Sequence, residues 1–304
     1  SGQACVYDAL EAVIKPAPDR KSDQRLVVAD SKLVYKSSGS IKNLETTVLS
    51  FLAAIGSRRS AEQGASEVEL DAIPRSVENL VSLACPASDW LLLGALPAYD
   101  FSVVELPLKA DPDEILENAN RLRDATAAAQ IELISIECLP VFPKEFNAGL
   151  RSYGNKATLL SNRTLEIVSR LKAMTNDDLE IVCDKHGGRN KYASLIKAHL
   201  TDQPICTGSE TKLCSDYSFS DQQRDVVVRF QAGGESFMPT ALASMVSKYV
   251  REVFMKAWNQ FWIQQIPNLK PTKGYPLDAK RFKAEINELQ SRLNIDDQDV
   301  WRLK

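Results

Sequence analysis

The sequence predicts an α/β fold with a mostly central sheet. Patterns typical of helices and of strands alternate along the chain, which is the arrangement found in α/β proteins. With 44% hydrophobic and 25% charged residues, the composition is that of an average globular protein. A chain of 304 residues is long enough for one large domain or two ordinary ones.

The helices are predicted from apolar residues that recur at helical spacing, as they do in residues 41–55. Asp111 followed by Pro112 marks a helix start, because aspartate caps the first turn and proline has no N–H to leave unpaired there. The five predicted helices cover residues 41–55, 112–130, 156–173, 239–265 and 278–293.

Short runs rich in β-branched and other apolar residues predict the strands. The four predicted strands cover residues 101–108, 131–139, 179–183 and 225–230. The paired glycines Gly233 and Gly234 indicate a turn directly after the last of these strands. The polar segment 57–74 is expected to form a loop.

Charge is unevenly distributed along the chain. Residues 1–184 hold 19 Lys and Arg against 27 Asp and Glu, a net charge of −8, and residues 185–304 hold 18 against 13, a net charge of +5. We therefore expect a polyanionic partner to contact the C-terminal part. The whole-chain pI of 5.6 argues against a strongly basic coat protein for nucleic acid.

The sequence favours a cytoplasmic protein. No apolar run approaches the roughly 20 residues that a membrane span needs. The first eight residues show no basic region followed by an apolar one, so no signal peptide is expected. The six cysteines form no Cys-x-x-Cys pair, and with His186 and His199 as the only histidines most zinc sites are excluded. We expect reduced, mostly buried thiols.

Segment 241–252 gathers polar side chains on one face of a predicted helix. The residues that share this face by their spacing are Ser244, Lys248, Arg251 and Glu252. A carboxylate beside two cations is costly to bury without a partner, which makes this face a candidate site. The alternative interpretation is a solvated face of a packing helix.

A second candidate site follows the strand predicted at residues 179–183. Asp184 ends that strand, at the edge where ligands of open α/β sheets bind. Lys185, Arg189 and the paired glycines between them form a basic loop with accessible backbone, which suits phosphate. The alternatives are a turn-forming aspartate and, for His186, either a proton-transfer residue or a histidine on a surface loop.

A third candidate is the segment Lys273-Gly274-Tyr275, in which an aromatic ring follows a glycine turn. Such a ring stacks on a sugar or a base in nucleic-acid-binding proteins, and it serves equally well in packing. The aromatic residues of segment 258–262 are expected in the core, because they recur at helical spacing.

The order of these segments resembles the type 2 ribonucleases H. In that family a strand ends in an aspartate, and a glycine-acid turn, a helix reading roughly Ala-Ala-Ala-Ser-Ile-Val-Ala-Lys-Val-Thr-Arg-Asp and a Lys-Gly-Tyr-Gly segment follow. Residues 241–252 align with that helix without a gap, and Glu252 stands where the family has its aspartate. The identical residues are Ala241, Ala243, Ser244, Val246, Lys248 and Arg251.

Other segments resemble the family in the same order. Gly234-Glu235 resembles the turn, and Lys273-Gly274-Tyr275 resembles the later segment, with Pro276 in place of its last glycine. Upstream, Asp30-Ser31-Lys32 resembles the family's Asp-Ser-Lys, and segment 142–147 resembles its Ile-Asp-x-x-Asn-Ile region. The resemblance covers about half the chain, and only residues 241–252 are specific.

The resemblance implies a ribonuclease H-like central mixed sheet with flanking helices. Residues 1–56 would form the N-terminal part of that domain, residues 57–125 an insertion without counterpart, and residues 126–304 the main part with the C-terminal helices. The family's first motif, an Asp-Glu followed by glycines on the opening strand, has no equivalent in residues 1–29. We expect that this motif lies upstream of Ser1 or is lost in a non-catalytic relative.

The activity that the resemblance implies is endonucleolytic cleavage of RNA within RNA/DNA hybrids. Two Mg²⁺ or Mn²⁺ ions would straddle the scissile phosphate, and clustered carboxylates would hold them. Asp184 and Glu252 would be two of the four metal ligands, catalytic through the metals, and would lie within about 8 Å of each other. The implied nucleic-acid-binding residues are Lys185, Arg189, Ser244, Lys248, Arg251, Lys273 and Tyr275.

Two other classes of function stay open at this point. A ribonuclease H-like module without cleavage would bind nucleic acid or a protein partner through the basic C-terminal part. A metabolic α/β enzyme is less well supported, because the sequence has no glycine-rich cofactor loop. No membrane partner is expected.

Overall fold

The computed structural model describes residues 5–18, 23–36, 39–61, 67–85, 96, 98–221 and 223–303. The chain divides into two compact units: unit 1 comprises Ser1–Asn147 and Met245–Lys304, and unit 2 comprises Ala148–Ser244. Helices and a mixed sheet are both present, so the predicted α/β class is confirmed. Among the described residues, no helix is long and apolar enough to cross a membrane.

The helices and strands are numbered in chain order. The helices are α1 (Val6–Ala9), α2 (Ser31–Val34), α3 (Lys42–Ala61), α4 (Val77–Ala84), α5 (Pro112–Ala128), α6 (Pro143–Tyr153), α7 (Lys156–Lys172), α8 (Ala193–His199), α9 (Met238–Ile263), α10 (Pro276–Arg292) and α11 (Asp297–Val300). The strands are β1 (Ile14–Lys15), β2 (Leu26–Val27), β3 (Leu179–Asp184), β4 (Cys206–Glu210), β5 (Cys214–Asp221) and β6 (Arg224–Gln231).

Helices α3 and α5 form the first part of the core of unit 1. Helix α3 packs against α5. The residues fully buried on these two helices include Leu44, Val48 and Leu52 of α3 and Ile115 and Leu122 of α5. Helix α5 begins as predicted, because the Asp111 side chain accepts a hydrogen bond from the Asp113 amide at 3.0 Å. The short strands β1 and β2 pair in parallel beside this helix pair.

The second part of the core of unit 1 is aromatic. Trp258 and Trp262 on α9 pack against Phe282 and Ile286 on α10, and all four side chains are buried. This confirms the predicted core position of Trp258 and Trp262, whereas Phe261 is partly buried and packs against the same core. Helix α10 therefore presents one apolar face to α9, as the helical spacing of its apolar residues predicts.

Unit 2 contains a four-stranded sheet in the order β3-β6-β5-β4. Strand β3 is parallel to β6, whereas β6, β5 and β4 form an antiparallel meander. Alternate side chains of β5 and β6 are buried against α7 and α8, as the period of two requires for a sheet covered on one face. The Tyr192 and Phe230 rings stack within this core, with centroids 3.7 Å apart.

The five predicted helices are all present, as are the strands predicted at residues 179–183 and 225–230. The strands predicted at residues 101–108 and 131–139 are wrong, because both segments are irregular. In the first segment, Glu105 makes only an isolated bridge with Ser76. An apolar run of this length indicates partial burial, but it supplies no neighbouring strand with which to form a ladder.

Two further expectations need correction. The loop predicted at residues 57–74 is partly helical, because α3 continues to Ala61 and a 3-10 turn covers Leu70–Ala72; residues 62–66 lie outside the described part of the chain. All six cysteines are free thiols, as predicted, but only Cys85 and Cys183 are buried. Most of helix α5 falls inside the predicted insertion at residues 57–125, and the helix extends three residues beyond it. The relation of the insertion to the resembled family stays a prediction.

Candidate functional site

In unit 1, the carboxylate of Glu252 is the centre of a cluster of charged and aromatic side chains. Its Oε1 atom lies 3.0 Å from Lys248 Nζ and 2.7 Å from Arg251 Nη1. Its Oε2 atom accepts a hydrogen bond from the Tyr35 hydroxyl at 3.3 Å. We call Tyr35, Lys248, Arg251 and Glu252 the Glu252 cluster. The Glu252 side chain is only 16% exposed, whereas Arg251 is 45% exposed, so this side of α9 is partly solvated around a largely buried carboxylate.

Arg251 connects the Glu252 cluster to the predicted Lys273-Gly274-Tyr275 segment. Its Nη2 atom donates to the Lys273 carbonyl at 2.8 Å. Gly274 has φ of 75°, and a Cβ atom there would lie 3.4 Å from Arg251 Nη2. Glycine is favoured at this position by its left-handed backbone conformation. The turn is fixed by Asp278, whose carboxylate accepts from the Lys273 amide at 2.8 Å.

Tyr35 is the member of the cluster that sequence reasoning missed. It directly follows α2, whose start is capped by the Asp30 side chain, an acceptor for the Lys32 amide at 2.9 Å. Its ring centroid lies 5.3 Å from Lys248 Nζ, a cation–π contact. Burial and the charge of Glu252 raise the pKa of Tyr35. The sequence did hold a signal for Tyr35, because this residue lies three residues after the Asp30-Ser31-Lys32 motif.

In unit 2, Asp184 ends β3, as predicted, and its side chain is exposed. Its Oδ1 atom accepts a hydrogen bond from the Gly234 amide at 3.4 Å. A Cβ atom on Gly234 would lie 3.3 Å from the Asp184 backbone, so the close approach of this turn to the strand end depends on glycine. The Gly234-Glu235 turn and the strand-ending aspartate are therefore adjacent in unit 2.

Lys185 is bound within the loop that was predicted to bind phosphate. Its ammonium donates to the Arg189 carbonyl at 3.3 Å, to Asn190 Oδ1 at 3.2 Å, to the Thr211 carbonyl at 2.6 Å and to Ser215 Oγ at 2.9 Å. These acceptors surround the charge and give Lys185 a structural role in holding the loop.

Arg189 also has a contact within unit 2. Its Nη2 atom donates to Thr158 Oγ1 at 2.5 Å. Its guanidinium lies 6.0 Å from the Tyr192 ring centroid, a weak cation–π contact. A phosphate-binding role for Arg189 and Lys185 stays a prediction.

His186 is not the surface-loop histidine that was expected. It is buried, with Nδ1 2.9 Å from Ser161 Oγ and Nε2 3.5 Å from Thr164 Oγ1. Burial lowers the pKa of His186 to about 4, although the charge of Asp184 acts in the opposite direction. The imidazole is therefore neutral near pH 7 and is part of the core of unit 2.

The predicted site residues fall into two groups. Lys248, Arg251, Glu252 and Lys273 are brought together in unit 1, with Tyr275, 55% exposed, after the same turn. Asp184, Lys185 and Arg189 lie in unit 2, and Ser244 is its last residue, partly buried on α9. Because Asp184 and Glu252 belong to different units, the predicted distance of about 8 Å between them stays a prediction.

Asp184 and Glu252 are the predicted metal ligands, and their carboxylates offer the hard oxygen donors that Mg²⁺ and Mn²⁺ prefer. Among the described residues there is no group of three or more His, Cys, Asp or Glu side chains that could hold a metal ion. Glu252 instead has cations as its neighbours.

No protein-family model, curated protein or solved structure matches this chain.

Proposed function

We propose that the protein binds RNA/DNA hybrids through the Glu252 cluster and cleaves the RNA strand with Mg²⁺ or Mn²⁺, as a ribonuclease H type 2-like endonuclease. The observation that supports this most is the convergence of three segments that are far apart in the sequence. Arg251 and Lys273 come from two of the resembling segments, and Arg251 contacts both Glu252 and the Lys273 carbonyl. Tyr35, which contacts Glu252, lies three residues after a third resembling segment, Asp30-Ser31-Lys32.

The chemistry of this convergence suits a sugar-phosphate backbone. Lysine and arginine side chains bind phosphate oxygens, and the exposed Tyr275 ring offers a surface for a sugar or base. A hybrid is recognised by its backbone shape and its 2′-hydroxyl groups rather than by its sequence. The proposal includes a ribonuclease H-like arrangement of the mixed sheet. It also includes a cytoplasmic location, because free thiols such as those of this protein stay reduced there.

Direct assays of binding and cleavage test the proposal. The full chain is incubated with a fluorescently labelled RNA/DNA hybrid and with the matching DNA duplex, with Mg²⁺, with Mn²⁺ or with chelator. We expect cleavage of the hybrid only, dependent on the divalent ion. Glu252→Gln is expected to abolish cleavage, whereas the matched control Glu285→Gln, which removes a surface Arg281–Glu285 pair on α10, keeps it.

A specific observation favours a second candidate, a hybrid-binding module without cleavage. The one carboxylate of the Glu252 cluster forms ion pairs with Lys248 and Arg251. Such pairs suit a carboxylate that fixes the positions of cationic side chains on a binding surface. This candidate predicts hybrid binding that does not depend on divalent ions, with no cleavage by the full chain under any of the conditions above.

The salt dependence of binding tests the surface that both candidates share. Each phosphate contact releases counterions, so the logarithm of the affinity should fall linearly with the logarithm of the salt concentration. Lys248→Met should reduce that slope by about 0.9. Binding that does not respond to salt would exclude the cluster as a backbone-binding surface.

A further inference from the structure

Glu252 is held by the kinds of groups that bind a phosphate. An ammonium and a guanidinium share its Oε1 atom at 3.0 and 2.7 Å, and a phenol hydroxyl lies 3.3 Å from Oε2. Cationic and hydroxyl donors at hydrogen-bonding distance around two oxygens form an oxyanion site. The oxygens present in that site are those of the protein's own carboxylate.

Each of the three donors is also held by contacts that do not involve Glu252. The Arg251 guanidinium is fixed on the Lys273 carbonyl at 2.8 Å, beside Gly274. The Lys248 ammonium lies 5.3 Å from the Tyr35 ring centroid. The backbone amide of Tyr35 donates to the Ser31 carbonyl at 2.9 Å. Arg251 and the backbone of Tyr35 are therefore anchored independently of the carboxylate, and Lys248 keeps its contact with the Tyr35 ring.

The donors are accessible from solvent, while the carboxylate is more buried than either cation. Lys248 is 21% exposed and Arg251 is 45% exposed, against 16% for Glu252. A phosphate group can thus reach the cations from solvent, and it takes the place of the carboxylate only if the Glu252 side chain changes rotamer. This exchange replaces one anion by another and leaves no buried cation unpaired.

We infer that Lys248, Arg251 and Tyr35 form a phosphate-binding site that the Glu252 carboxylate occupies in the free protein. The inference deepens the proposed function and rests on it in one respect, that the phosphate belongs to a nucleic-acid backbone. Glu252 then acts as a built-in competitor of the ligand. A lone phosphate ion binds weakly against this competitor, whereas a polyanion that also contacts the Lys273 turn displaces it.

Inorganic phosphate is the first probe, because it tests the site without nucleic acid. Thermal unfolding of the full chain is followed in phosphate and in chloride of equal ionic strength, with no divalent ion present. In Glu252→Ala the apparent Kd for phosphate should be about 10-fold lower than in the wild type. The control Glu285→Ala removes the same charge from a pair with a single arginine, and it should respond as the wild type does.

A second set of variants shows whether the named donors bind the phosphate. In the Glu252→Ala background, Lys248→Met should abolish the gain in phosphate affinity, and Tyr35→Phe should reduce it while keeping the ring under Lys248. If Glu252→Ala does not fold, Glu252→Gln replaces it, with a smaller gain expected. Equal phosphate responses in the wild type and in the Glu252 variants would overturn the inference, as would an equal gain in Glu285→Ala.

Hybrid binding in chelator separates this inference from the proposed function. If the inference holds, Glu252→Ala binds the hybrid about 10-fold more tightly than the wild type, although it does not cleave. If only the Glu252 variants respond to phosphate and no protein binds the hybrid, the phosphate-binding site is supported. The proposed function is then refuted. Hybrid affinity unchanged by Glu252→Ala would refute the inference and leave the proposed function standing.

Discussion

The buried carboxylate of Glu45 accepts a hydrogen bond from the Tyr249 hydroxyl at 2.8 Å, which joins α3 to α9 within unit 1. The same carboxylate accepts from the amides of Leu108, Lys109 and Ala110 at 2.5, 2.6 and 2.8 Å. Four donors therefore compensate one buried charge, as a carboxylate without water requires. Burial, followed by the charge of Glu45, raises the pKa of Tyr249 well above its usual value.

Glu45→Gln should destabilise the protein because it replaces a charged acceptor of four hydrogen bonds by an amide with one acceptor oxygen. We expect the free energy of unfolding in urea to fall by about 2–4 kcal/mol. Tyr249→Phe removes a single donor and should cost about 1–2 kcal/mol. The double variant should lose less than the sum of the two losses, because the residues share one interaction. Strict additivity would show that the contact contributes nothing.

Glu45 also illustrates what the sequence could predict. The spacing of apolar residues predicts α3 because a helix is determined by neighbours three and four positions apart. The amides that Glu45 binds lie more than 60 residues away, and no local pattern indicates that pairing. Strand β4 was missed for a related reason: its sequence Cys-Thr-Gly-Ser-Glu has no apolar alternation, and it is a strand only through its pairing with β5.

The residues of the candidate site likewise fall into two kinds: those predicted from their spacing on one helix, and those that come from distant parts of the sequence. Arg251 and Glu252 lie three and four positions after Lys248 on one helix, so their common face was predicted from this spacing. Tyr35 joins them from more than 200 residues away and has no polar pattern of its own. The burial of His186 was missed because a loop rich in glycine and charge indicates exposure, whereas α7 supplies Ser161 to the imidazole.

Asn147 is expected to hold the C-terminal segment of unit 1 in place. The side chain is fully buried, its amide group donates to the carbonyls of Gln298 and Trp301, and its oxygen accepts from the Leu303 amide at 2.7 Å. Asn147→Ala should lower the free energy of unfolding by about 2–3 kcal/mol and should speed hydrogen exchange at the Leu303 amide.

Asn155→Ala provides the matched control for this prediction. Asn155 caps α7 through a hydrogen bond from the Thr158 amide at 2.8 Å. Its loss should cost about 1 kcal/mol and should leave exchange at Leu303 unchanged. Equal exchange at Leu303 in the wild type and in Asn147→Ala would exclude the role given to Asn147.

His186 should make the protein less stable in mild acid. Its pKa is lowered to about 4 in the folded protein, chiefly by burial, from a usual value of 6.5. Above pH 6.5 neither the folded nor the unfolded state binds a proton at this residue, so it has no effect on stability there. Between pH 6.5 and 4 only the unfolded state binds the proton, so the free energy of unfolding falls as the pH falls.

His186→Asn keeps a partner for Ser161 but cannot titrate in this range. Between pH 7.5 and 4.5 the free energy of unfolding of the wild type should fall by about 2–3 kcal/mol more than that of His186→Asn, measured by urea unfolding. The control His199→Gln removes the other histidine and should keep the wild-type decrease, because His186 is still present. If the wild type and His186→Asn show parallel pH profiles, the imidazole is not buried in its neutral form.

Gly274→Ala should weaken hybrid binding by displacing Arg251. The backbone of Gly274 has φ of 75°, a conformation that costs an alanine about 1 kcal/mol. An alanine that relaxes this φ moves the turn that carries the Lys273 carbonyl, and its Cβ atom would contact Arg251 Nη2 at 3.4 Å, so we expect the bond between the guanidinium and that carbonyl to be perturbed. We expect both a lower free energy of unfolding and a several-fold loss of hybrid affinity.

Gly154→Ala separates the two effects, because Gly154 has φ of 74° but no atom lies within 4 Å of the Cβ position. This variant should show the same loss of stability of about 1 kcal/mol while its hybrid affinity stays at the wild-type value. A titration of labelled hybrid against both variants, at one salt concentration and in chelator, makes the comparison. If both variants lose affinity equally, the loss reflects general destabilisation, and the position of Arg251 beside Gly274 has no part in binding. If only Gly274→Ala loses affinity, the turn after Lys273 acts on the ligand through the guanidinium it holds.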